Sequence, residues 1–169
     1  GIKAGMPMYE AKKKCPHGVF LKCRMDRYKE KSNEVMQILK NYTSDFQQIS
    51  IDEAFLDMSG MERLLGNPIM QANIIKKDIH SKTGITVSIG GGANKYIAKM
   101  ASSTSKPDGL LIVPNGNEIE FMRGIPLNKV WGLGKSAIAK LNSLNIFSVD
   151  DVLSIEKLET MFAPCFARF

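Results

Sequence analysis

Two adjacent carboxylates, Asp52 and Glu53, stand inside an otherwise apolar stretch at residues 50–58, Ser-Ile-Asp-Glu-Ala-Phe-Leu-Asp-Met. Carboxylate oxygens are natural ligands for magnesium, which keeps water and shares substrate phosphates. Two such ions can activate an attacking hydroxyl and stabilise a leaving pyrophosphate. The stretch reads as extended, and a regular strand sends neighbouring side chains to opposite faces. The two acids can therefore meet one ligand only at a turn, a bulge or a strand end. Otherwise they are solvated surface charge, the common state of acidic residues.

Cations that could complement such a centre lie downstream. Lys95 and Lys99 are four residues apart and share a helix face, while Ile97, Met100 and Ala101 take its buried side. Lys106 follows the helix end, beside Pro107. Without an acidic centre nearby these lysines form an ordinary solvated face. Gly90-Gly91-Gly92 runs from a strand into this helix, so it is either a bend or an anion nest at the helix N-terminus. It lacks the third glycine of the dinucleotide fingerprint. Gly134-Lys135-Ser136 ends like a phosphate-binding loop, but Lys129 occupies the place of the first required glycine. Both common nucleotide motifs are excluded.

A last site is Trp131-Gly132-Leu133-Gly134-Lys135, followed by a helix carrying Ile138, Leu141 and Leu144. Two glycines around one apolar residue suit a hairpin whose backbone amides face a phosphate. An ordinary helix-turn-helix packing unit is the alternative. The net charge of +6 favours contact with a DNA backbone.

The elements that must position these groups follow from periodicity. Residues 6–14 read as a short helix opened by Pro7 and stopped by Pro16, and residues 19–21 as a short strand. A helix over residues 26–42 carries Tyr28, Val35, Ile38, Leu39 and Tyr42 at helical spacing. A second helix, 68–81, is buried through Ala72, Ile75 and Ile79, and residues 85–89 alternate cleanly as a strand. A helix over 94–103 and a strand over 110–113 follow. Helices on one face of a mainly antiparallel sheet, an α+β class, account for this order. After Pro114 only short helices are expected, at 117–123, 136–144, 149–153 and 155–162.

The 169 residues, 44% hydrophobic, can bury a core and suffice for one domain or one with an appendage. Cys15, Cys23 and Cys165 are odd in number and scattered, which fits a reducing compartment, the cytoplasm. Cys15, His17 and Cys23 lack a fourth ligand for zinc. No apolar run is long enough to span a membrane, so no membrane partner is expected.

Taken together, the blocks resemble one family. Residues 50–57 resemble the catalytic palm motif of the Y-family DNA polymerases, the translesion class, and most closely its polymerase IV type. Thr86 to Gly90, Asn94 to Ala101 and Ser105 to Gly109 resemble the second palm block. Residues 1–7 resemble the end of the fingers, and Trp131 to Lys135 the thumb hairpin. The resemblance covers nearly the whole chain, in the family's order.

The resemblance implies a fingers remnant at 1–17, a ferredoxin-like palm at 18–113 and an all-helical thumb with a helix-hairpin-helix at 114–169. Asp52 and Glu53 would bind two magnesium ions, Lys106 would contact the incoming triphosphate, and Gly132, Leu133, Gly134 and Lys135 would hold duplex DNA. Partners would be primer-template DNA and deoxynucleoside triphosphates, with a sliding clamp engaged through a segment not among these residues. The family's first palm strand, its metal-binding aspartate and its triphosphate-gripping tyrosine and arginine have no counterpart here. The expectation is template-directed synthesis past damaged bases by a parent enzyme, with this fragment inactive alone. The competing expectation is a non-catalytic DNA-binding module. In the palm reading, strands 46–51 and 54–58 join at a tight turn that brings both acids to one side.

Overall fold

The computed structural model describes residues 1–3 and 5–154. The helix expected at 155–162, Ala4 and Cys165 lie outside the described residues.

Chain order is α1 (Met8–Lys14), α2 (Met25–Lys40), β1 (Phe46–Gln48), β2 (Ala54–Leu56), α3 (Glu62–Leu65), α4 (Pro68–Thr83), β3 (Ile89–Gly91), α5 (Lys95–Thr104), β4 (Leu110–Ile112), α6 (Glu118–Arg123), a 3-10 turn (Leu127–Lys129), α7 (Lys135–Ser143) and α8 (Val149–Leu153). Local chemistry sets the helix ends. The Asn67 side chain accepts a hydrogen bond from the Met70 amide at 2.9 Å, Pro68 fills the first turn, and Gly84 closes α4 in the left-handed region at φ 72°. Asn94 likewise caps α5 by accepting from the Ile97 amide at 2.9 Å. Ser148 and Asp151 form a reciprocal capping box on α8.

Ile38 of α2 and Ile75 and Ile79 of α4 form one core cluster, with Leu56, Met58, Val87 and Ile89 packed on it. These two helices thus lie beneath both strand pairs. Ile97, Ala101 and Val113 form a second cluster with Leu111, Phe121 and Met122. Leu127, Leu141 and Ile146 form a third, around which α7 and α8 pack with Leu133, Val149 and Val152.

The α+β class holds, with departures in detail. The strands form two separate two-stranded sheets. In β1–β2 the register is antiparallel, Gln48 opposite Ala54; in β3–β4 it is parallel, Ile89 opposite Leu110. The parallel pair follows from the connection, because α5 carries the chain back to the same end before β4 begins. Along β3, Ile89 points to the α2–α4 core while Gly90 turns to α5, so this sheet is covered on both faces.

The clean alternation at 85–88 does not produce a strand. Among the described residues these positions have no ladder partner, and only residues 89–91 pair. Residues 19–21 are no strand either: they have no ladder partner among the described residues, and Val19 and Leu21 are 86% and 83% exposed. Tyr28, expected in the core, is exposed on α2, where Met36 and Ser32 are buried instead.

Candidate active site

The hairpin stops short of the acids. β1 ends at Gln48 and β2 begins at Ala54, which leaves residues 49–53 as a loop instead of the expected tight turn between longer strands. The Glu53 carbonyl accepts the amides of Ile49 at 2.9 Å and Ser50 at 3.2 Å, which closes the loop without Gly, Pro or Asn. Inside it the Ser50 hydroxyl donates to Asp52 Oδ1, and the Asp52 amide donates back to Ser50 Oγ at 3.2 Å. Asp52 is held facing solvent, Glu53 is half-buried, and both line one cavity of about 1790 Å³.

That cavity separates the two sheets. Its walls include the hairpin loop, the strand-like residues 85–88, the three glycines and the N-terminal part of α5, with Lys106 at its rim. Among the described residues β2 pairs only with β1, and β3 only with β4, so both sheets present an unpaired edge.

The α5 lysines reach across the cavity. Lys99 donates to Glu53 Oε1 in an ion pair, and Lys95 Nζ donates to Gln47 Oε1 at 2.6 Å. The expected cationic face is therefore turned to the acidic loop. Lys95 also helps to hold the Asp57 carboxyl below its ordinary range, after the larger contribution of hydrogen bonds from Ser59. Asp57 itself is exposed and accepts the Ser59 amide at 2.9 Å, an Asx-type turn at the end of the hairpin.

The first of the three glycines is a point of close packing. A Cβ on Gly90 would lie 2.1 Å from the Ser102 nitrogen and 2.2 Å from the Ala98 oxygen. Strand β3 lies directly on the backbone of α5, and only glycine permits that approach. Gly109 serves the same end where the chain enters β4: its Cβ would meet the Ser105 oxygen at 1.7 Å.

Oxygen donors at Asp52 and Glu53, on the wall of an open cavity, suit a hard divalent cation. Among the described residues no three His, Cys, Asp or Glu side chains converge as one ligand set, so the pair would supply at most part of a coordination sphere.

The glycine hairpin lies elsewhere. Gly132 adopts φ 91°, and Leu133 tucks into the third cluster. Gly134 caps α7, which leaves the amides of its first turn, from Lys135 onward, free of helical partners. The segment is fastened to α5: the Trp131 carbonyl accepts the Tyr96 hydroxyl at 3.0 Å, and the two rings lie 5.9 Å apart.

Sequence reasoning missed Lys76. It occupies the apolar stripe of α4 between Ala72 and Ile79, and that position was the available signal. Its ammonium donates to Asp108 Oδ1 at 2.6 Å, to the Asp108 carbonyl at 2.9 Å and to the Val87 carbonyl.

The impB/mucB/samB family model matches residues 1–103, and the model for the HHH motif of the IMS family matches residues 115–146. A DNA polymerase IV of Treponema denticola is 51% identical over 154 residues, 91% of this chain and 39% of its own length. A DNA polymerase IV of Methanosarcina acetivorans is 40% identical, over 94% of this chain and 45% of its own length. Among solved structures, an insertion ternary complex of Dbh DNA polymerase superposes with a TM-score of 0.87 at 32% identity, covering 99% of this chain and 49% of that one. A DinB family error-prone DNA polymerase from Sulfolobus solfataricus gives 0.87 at 32% identity, covering 98% and 51%. The chain thus spans about half or less of the length of the proteins it matches.

Proposed function

The chain belongs to the impB/mucB/samB family, that of the Y-family DNA polymerases, and from that membership we propose that the whole protein is a DNA-directed DNA polymerase that copies past damaged bases. The observation that carries this reading is the Asp52–Glu53 loop facing α5 and the Lys106 turn around one open cavity. Residues 1–17 are assigned to the fingers, 18–113 to the catalytic palm and 114–169 to the thumb. Primer-template DNA and deoxynucleoside triphosphates are the partners, and the cytoplasm is the compartment. A sliding clamp would engage a segment outside these residues.

Asp52 and Glu53 would hold magnesium, two ions in the complete enzyme. When bound, the metal supplies positive charge that activates the primer hydroxyl and stabilises the leaving pyrophosphate. The chain's own residues do the positioning. Ser50 orients the Asp52 carboxylate by hydrogen bond, and Lys99 holds Glu53 against α5. Lys106, exposed at the cavity rim, would neutralise part of the triphosphate charge. In the hairpin, Gly132, Gly134 and Lys135 would present backbone amides and one ammonium to the duplex phosphates, while Leu133, whose amide donates to the Val130 carbonyl at 3.2 Å, would anchor the turn in the core.

Template-dependent primer extension by the whole protein tests the assignment. The 169 residues alone are expected to give none, because Asp52 and Glu53 make only part of a metal site; robust incorporation by them would contradict that expectation. The other reading, a non-catalytic DNA-binding module, rests on the Gly132 hairpin and the net charge of +6. It requires DNA affinity with no metal-dependent triphosphate binding at Asp52.

A further inference from the structure

Lysine is rarely buried without a task, because removing its charge from water is costly unless acceptors replace the lost solvent. The Lys76 side chain is 18% exposed, and its acceptors come from two separate places in the chain. One is the Val87 carbonyl, in the strand-like segment without a ladder partner. The others are the carboxylate and carbonyl of Asp108. A fourth, weaker approach is to the Gly109 carbonyl at 3.5 Å.

Asp108 sits in a demanding turn. Its φ is 47°, in the left-handed region that non-glycine residues enter infrequently. Gly109, next in line, donates its amide to Ser88 Oγ at 3.2 Å and is jammed against the Ser105 carbonyl. Pro107 and Asp108 are both exposed, so apolar burial of these two side chains does not hold the turn in place. The backbone of Gly109 is also held by the Ile89 amide, which donates to its carbonyl at 3.0 Å, and the side chain that ties Asp108 to α4 is Lys76. Lys106 is two residues before Asp108 and projects from the same turn onto the cavity rim.

We propose that Lys76 is a positioning residue for the incoming nucleoside triphosphate: by clamping the 107–109 turn to α4 and residue 87, it fixes the point from which Lys106 reaches the phosphates. This rests on the reading of Lys106 as a triphosphate contact. Lys76 does not touch the ligand, since its donors are spent on protein oxygens. A small displacement of a charge-bearing turn is enough to weaken an interaction that depends on geometry.

The test is steady-state single-nucleotide incorporation by the whole polymerase, varying one deoxynucleoside triphosphate. Lys76→Met is expected to raise KM for the nucleotide about tenfold and to change kcat less than about threefold. Lys76→Arg, which keeps charge and donors, is expected to recover most of that loss. Added to Lys106→Ala, Lys76→Met is expected to raise KM no more than about twofold further, because both changes disable one contact. Asp108→Asn weakens the same clamp from its exposed side and gives the same pattern where Lys76→Met does not fold.

If Lys106→Ala raises KM while Lys76→Met and Asp108→Asn leave it unchanged, the positioning role is wrong and the triphosphate contact stands. Fully multiplicative effects of Lys76→Met and Lys106→Ala also overturn the role, since the two residues would then act independently. An unchanged KM in Lys106→Ala overturns the triphosphate contact itself, and the positioning role with it.

Discussion

Lys99 of α5 donates to Glu53 Oε1, so one of the two carboxylates in the hairpin loop is tied to the helix across the cavity. The side chains are 17% and 35% exposed, which places the pair between a surface ion pair and a buried one. Surface pairs contribute about 0 to 1 kcal/mol, and stranding a fully buried charge costs several. Lys99→Met is therefore expected to destabilise the fold by about 1 kcal/mol, read from urea denaturation. No loss of stability would mean that Glu53 is held by the loop alone.

Gly90 and Gly91 make a contrasting pair. At Gly90 an added methyl meets backbone atoms of Ala98 and Ser102, which cannot turn aside. At Gly91 it meets the Cδ1 end of Ile112, at 2.6 Å, which can swing to another rotamer. Gly90→Ala is expected to cost about 3 kcal/mol or more and Gly91→Ala about 1 kcal/mol, by chemical denaturation. Equal costs would contradict the close approach of β3 to α5.

The Tyr42 phenol donates to Asp78 Oδ2 at 3.0 Å, and burial followed by this hydrogen bond pushes its pKa up to about 12 from 10.0. The folded state thus favours the protonated phenol. Its contribution to stability is complete below pH 10 and is lost as pH rises towards 12. Stability should therefore fall less steeply across that interval in Tyr42→Phe than in the unsubstituted chain, as measured by denaturation at a series of alkaline pH values. Parallel profiles would contradict the shift.

Gly132 and Gly116 both take positive φ, 91° and 90°, so alanine strains each backbone similarly. Only Gly132 lies in the hairpin assigned to DNA. Gly132→Ala should weaken binding of a labelled duplex about tenfold in anisotropy titrations at fixed salt, while Gly116→Ala leaves it unchanged. A similar loss in both would reassign the effect to general destabilisation.

What could be read from the residues follows from which forces are local. The stripe Ala72, Ile75, Ile79 and the stripe Ile97, Met100, Ala101 are buried as their spacing requires, because one helix face meets one core. That the hairpin loop carries two adjacent carboxylates was legible from residue type. The loop's shape was not, because hydrogen bonds from Ile49 and Ser50 to Glu53 close it with no Gly, Pro or Asn to mark the turn. Residues 85–88 alternate like a strand, yet a strand exists only with a partner, and pairing is non-local. The close approach of Gly90 to α5 and the clamp made by Lys76 join segments remote in sequence, so neither leaves a short-range motif.

The central claim is that Asp52 takes part in metal-dependent nucleotidyl transfer. Primer extension by the whole protein carrying Asp52→Asn tests it most directly, with folding checked by circular dichroism. The change removes charge and keeps shape, so a loss of at least about 100-fold in incorporation rate is expected, by analogy with deleting one transition-state stabiliser. Near-normal incorporation by a folded Asp52→Asn protein would remove Asp52 from the mechanism and contradict the account.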